Sequence, residues 1–181
     1  MVSMDSILEL DEIPYLVGRA WCFGDGVTAE QILPAHLHER GLAVGALVFG
    51  ELDREIARRL RRGDFVIAGV AFGIGAATNA TARALKLAGV GAVIGRSFGA
   101  EFSRAALHVG LPALEVEETG AIKAGDRLRV DIEGHKVVNL SSGDRYVIRN
   151  IYDEALDVLR AGGMAEYLSA TRNGSRAPGT S

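Results

Sequence analysis

One cysteine, Cys22, is all the thiol chemistry this sequence carries. A single thiol closes no internal disulfide, and it falls short of the three or four thiolates that hold an iron–sulfur cluster. Any cluster serving this chain would sit on another polypeptide. Behind Trp21, Cys22 reads first as a small buried hydrophobe. Surplus positive charge is lacking too: 20 Lys and Arg stand against 23 Asp and Glu, a net charge of −3. That balance offers no broad basic surface for nucleic acid. No apolar run reaches the roughly 20 residues that cross a bilayer. The stretch Met1 to Glu12 is acidic and lacks the basic-then-apolar layout of a secretion signal. The expectation is a cytoplasmic protein with neither nucleic-acid nor membrane partner.

What the chain has is a core. Its 181 residues are 48% hydrophobic, enough for one globular domain without disulfides. An N-terminal arm is expected over 1–14, a domain over 15–171, and a disordered Gly/Ser/Pro-rich tail over 172–181. Tyr15 to Phe23 reads as a strand and Gly24-Asp25-Gly26 as a turn. Thr28-Ala29-Glu30-Gln31 reads as one helical turn ended by Pro34. Ala35 to Gly45, with His36, His38, Glu39 and Arg40, has no period and reads as a mobile surface loop. Leu52, Ile56 and Leu60 mark an amphipathic helix with arginines near its end.

Two strand–helix units follow. Phe65 to Ala71 is a continuous apolar run, as in strands covered on both faces. Ala80, Ala84, Leu85 and Ala88 then recur at helical spacing until Gly89. Gly91 to Gly95 and Ala100 to His108 repeat the pattern, and Pro112 to Val116 is a further short strand. Parallel pairing through helical crossovers is predicted. From Arg127 the pattern alternates, with turns at Glu133-Gly134 and Ser142-Gly143, which predicts an antiparallel β meander. Helices broken at Gly162-Gly163 close the domain. The fold class is therefore α/β with a C-terminal antiparallel meander.

Between the first strand and its helix lies Phe72-Gly73-Ile74-Gly75-Ala76-Ala77-Thr78-Asn79. Glycines let backbone amides approach a ligand, and a helix start adds partial positive charge. Gly73-x-Gly75-x-x-Thr78 lacks the third glycine of a dinucleotide fingerprint, and no acidic residue sits where the ribose would need one.

These words in this order resemble the small subunit of 3-isopropylmalate dehydratase, the swivelling β/β/α domain of the aconitase superfamily. The matching phrases include Gly24-Asp25 through Ile32-Leu33-Pro34, Gly63-Asp64-Phe65 through Gly69, and Phe72-Gly73-Ile74-Gly75. Ala84 through Gly89, Ser97-Phe98, Phe102 with Arg104, Gly110-Leu111-Pro112 and Gly125-Asp126 continue them. The resemblance implies a lid that completes the active site of a large partner subunit bearing a [4Fe–4S] cluster. It implies a small hydroxy-acid substrate that loses and regains water, and no cofactor or metal on this chain.

The departures fall on the catalytic words. Where the family has Ser-Ser-Arg-Glu-His, with the first Ser as base and the Arg gripping a carboxylate, this chain has Ala76, Ala77, Thr78, Asn79 and Ala80. Ala76 has no proton-accepting atom, and Thr78 offers one neutral bond in place of a charged fork. The family's Tyr-Leu-Arg-Thr loop aligns roughly with Leu37 to Arg40, its cation shifted to Arg40. The expected proton-transfer residues are Glu30, His36 and His38; the expected substrate contacts are Thr28, Arg40, Gly75, Ala76, Ala77, Thr78 and Asn79. The expected function is a dehydratase small subunit. Its rivals are a self-associating, cluster-free isomerase or cyclase, and a binding subunit without chemistry.

Overall fold

The structure, a computed structural model, describes residues 15–39 and 41–172. The expected arm 1–14, Arg40 and the tail beyond Arg172 lie outside the described residues.

Strand β1 (Leu16–Cys22) organises the sheet, because it pairs differently on its two edges. Ala20 to Cys22 run parallel to β2 (Phe65–Ile67), whereas Leu16 to Arg19 run antiparallel to β5 (Arg127–Asp131). Beyond β2 lie β3 (Ala92–Gly95) and β4 (Ala113–Glu115), both parallel; beyond β5 lie β6 (Lys136–Asn139) and β7 (Arg145–Val147), both antiparallel. The seven strands thus run β4-β3-β2-β1-β5-β6-β7.

Alternation along the inner strands feeds two cores. Val66, Ala68 and Val93 face helices α3 (Thr78–Leu87) and α4 (Ala100–His108), meeting Ala82, Leu85, Phe102 and Ala106. Phe65, Ile67, Ala92 and Ile94 point the other way, onto Leu128, Val130, Val137 and Tyr146 of the meander. Helices α5 (Asp153–Ala161) and α6 (Met164–Arg172) pack on each other, and Leu156 of α5 completes the second core. Each fully buried ring, such as Phe65 or Phe102, contributes about 1.5–3 kcal/mol by its removal from water. No helix among the described residues is long and apolar enough to cross a membrane.

Three expectations are corrected. The apolar run from Phe65 leaves the sheet after Ile67, and Ala71 adopts φ 59°, so Gly69 to Ala71 are loop and not strand. Ala35 to Gly45 is not an open loop: it forms two 3-10 turns, Ala35–Leu37 and Gly41–Leu47, and Val44 is buried in the first core. A Cβ on Gly45 would stand 2.7 Å from Leu87 and Ala88 backbone, so this segment packs against the end of α3. Helix α2 (Arg54–Arg59) is shorter than the Leu52–Leu60 pattern, starting at the Asp53 cap.

Candidate functional site

Past Ala68 the chain runs as a loop across the carboxyl ends of the parallel strands, and distant side chains pin it. Asp25 Oδ1 accepts from the Val70 N–H at 2.8 Å, and Ser97 Oγ accepts from the Ala71 N–H at 2.9 Å. The Gly73 N–H donates to Val27 O at 2.8 Å. Gly73 has φ 79°, and a Cβ there would collide with the Phe102 ring, so only glycine fits. Phe72 beside it is wedged edge-on between Phe98 and Phe102.

The loop ends at α3, whose N-cap, Ala77, has no side chain to satisfy the helix's free amides. Glu30 instead holds the turn that leads into α3, reaching it from another helix, α1 (Ala29–Ile32). Its Oε1 accepts from the N–H groups of Ala76 at 2.9 Å and Ala77 at 3.3 Å. Thr28 sets the aim: its Oγ1 accepts from the Gln31 N–H while Gln31 Oε1 accepts from the Thr28 N–H, a reciprocal cap that fixes α1. Ala29 N–H bonds to Ile74 O, and Thr81 Oγ1 donates to Ala29 O, so α1 and the loop form one unit. Gly75, at φ 145°, leaves room for the Glu30 carboxylate, which any side chain there would strike. Glu30's own backbone N–H is the largest influence holding its carboxyl below the usual range; burial opposes it, and the Ala76 and Ala77 N–H groups and the His38 ring add to the lowering.

Glu30, Thr28, Gly75, Ala76 and Ala77 are therefore brought together. His38 Nε2 lies 3.0 Å from Leu33 O, and its ring has a minor lowering influence on the Glu30 carboxyl. His36 turns to Glu51 at 3.5 Å, at the surface. Thr78 is 7% exposed and packs into the body of the domain. Asn79 is exposed and lines a separate cleft with Arg83 and His108.

Beside the loop, a cavity of about 580 Å³ opens at the carboxyl ends of β1 and β2, with Cys22, Asp25, Gly69, Arg96 and Glu118 in its walls. That position, outside the strand ends of a parallel sheet, is where such folds bind ligands. Asp25, Arg96 and Ser97 were not singled out from sequence. Asp25 and Ser97 lay within the phrases that carry the resemblance, but their loop partners are 45 and 26 residues away. Burial, reinforced by the Asp126 carboxylate, pushes the Cys22 thiol up to about 11, and its Sγ donates to Ile122 O at 3.4 Å. A protonated, internally bonded thiol does not suit a cluster ligand, and no three His, Cys, Asp or Glu converge on a metal site among the described residues. The donor set of this chain does not fit a [4Fe–4S] cluster.

No protein-family model matches the chain. It is 38% identical over 156 residues, 84% of its length and 94% of the relative's, to 3-isopropylmalate dehydratase small subunit 2 of Archaeoglobus fulgidus. It is 34% identical to small subunit 1 of Thermotoga maritima, over 83% of this chain and 93% of that one. The crystal structure of 3-isopropylmalate dehydratase LeuD from Methanocaldococcus jannaschii superposes with a TM-score of 0.83 at 27% identity, covering 88% of this chain and 96% of that chain. At this identity and coverage, the chain belongs to the 3-isopropylmalate dehydratase small-subunit family of hydro-lyases.

Proposed function

We propose that this chain is the lid subunit of a two-chain hydro-lyase, docking on a large partner that holds a [4Fe–4S] cluster and acting on a small hydroxy acid. The names of its relatives support the dehydratase reading. The observation that carries it is the carboxylate of Glu30 on the Ala76 and Ala77 amides. Two convergent N–H groups at a helix start form a seat for an oxyanion, and a substrate carboxylate takes that seat by displacing Glu30. Freed from those two donors, Glu30 gains basicity, its own backbone N–H remaining the larger influence that holds its carboxyl down. It then stands beside Ala76, at the place of the family's missing serine, and accepts the proton that leaves the substrate carbon.

Neutral amides grip less firmly than a guanidinium, and Thr78, at the place of the family arginine, is buried. The substrate accordingly carries fewer carboxylates than isopropylmalate. Capture of the tagged full-length chain from native lysate tests the assembly. A large partner with about four irons per chain is expected, with turnover of a hydroxy monocarboxylic acid above that of 3-isopropylmalate. An isolated, iron-free chain that turns over substrate would overturn the reading. Because Ala76 offers no base, a binding subunit without chemistry is the second reading; it predicts an iron-bearing complex whose turnover ignores Glu30→Gln.

A further inference from the structure

We propose that the cleft between α3 and α4 binds a small oxyanion, a carboxylate or phosphate group, at a site separate from the Glu30 loop. The cleft encloses about 470 Å³, the scale of small-molecule sites. Asn79 and Arg83 line it from α3; Glu101, Arg104 and His108 line it from α4. Asn79 and Arg83 are four residues apart, as are Arg104 and His108, so each pair shares one helix face. The opposite faces are fixed in the core through Thr81, Ala82 and Leu85 on one helix and Phe102 and Ala106 on the other. The donors therefore project from rigid, packed elements.

Charge points to the ligand class. Two guanidiniums face one carboxylate, 2 − 1 = +1 before any charge on His108, on a chain whose net charge is −3. Arg83 is exposed and has no carboxylate partner among the described residues. Arg104 meets both Glu101 oxygens, at 3.1 and 3.2 Å, through Nη1 alone, which leaves its Nη2 and Nε free to hold a second acceptor. Like charges gathered along one groove repel, and a bound oxyanion between Arg83 and Arg104 removes that repulsion. The Asn79 side-chain amide, one turn before Arg83, adds a neutral donor at the mouth.

Amide-resolved NMR titration of the full chain with inorganic phosphate, with malate, and with sodium chloride at matched ionic strength tests the proposal. Saturable shifts at Asn79, Arg83, Arg104 and His108 are expected with phosphate or malate and not with chloride; which of the two binds more tightly identifies the source. Arg83→Gln with Arg104→Gln should weaken binding at least tenfold, and Asn79→Asp should weaken it independently while keeping a good helix start. Undiminished binding in both variants would overturn the proposal, as would shifts that chloride reproduces. Shifts confined to Ala76 and Ala77 would assign the anion to the Glu30 loop and refute this site while leaving the proposed function intact. Loss of partner capture in the double variant without any anion response would assign the face to a protein contact and equally refute it.

Discussion

Ala77 brings no capping side chain to α3, and the carboxylate of Glu30 holds the turn that leads into the helix. Glu30 has a lower pKa folded than unfolded, so the unfolded chain binds the extra proton in acid. Its stabilisation is present above the unfolded value and is lost as pH falls through the folded one. Glu30→Gln should cost about 0.5–1 kcal/mol at neutral pH, the charged-bond gain discounted for solvent exposure. Urea unfolding of both proteins should show that difference shrinking as the pH falls below the ordinary glutamate range; an unchanged gap would contradict the pairing. Cys22 gives a second reading of local chemistry. With its thiol at about 11, alkylation by iodoacetamide at mildly alkaline pH should run ~100-fold slower in the native chain than in urea. Equal rates would show that the thiol is neither buried nor protonated.

Local pattern reveals an element well and its long-range contacts poorly. Helix α4 was legible as Ala100 to His108 because Gly99 and Gly110 bracket an uninterrupted helical period. The meander was legible because its turns are short and its alternation strict. The end of β2 was not: Phe65 to Ala71 is apolar throughout, and the chain leaves the sheet through long-range bonds of Val70 to Asp25 and Ala71 to Ser97 that no local pattern encodes. Nor does any period encode the reach of Glu30 across 46 residues to Ala76. His36 and Asn79 carried suitable chemistry in sequence, yet exposure and neighbours set them apart from Glu30. Two substitutions test the loop as a unit. Gly73→Ala meets both a positive φ and the Phe102 ring, so it should lower the unfolding free energy by about 2–4 kcal/mol. Thr28→Ala removes the reciprocal cap of α1 and should cost about 1 kcal/mol; a neutral outcome in calorimetry would mean α1 does not depend on it.

Across the whole domain, β1 joins a parallel half that carries the loop to an antiparallel half that closes the second core. That division explains how the family fold persists while its acid-gripping side chains change: the amide seat belongs to the backbone, which the sheet and both cores hold in place. In the proposed reaction, the one carboxylate supplied by α1 takes the proton. The most direct test is kcat of the captured two-chain complex, measured at saturating hydroxy acid with wild-type chain and with Glu30→Gln at equal iron content. The account predicts a loss of about 100-fold or more for the variant. Equal kcat for the two complexes would contradict it.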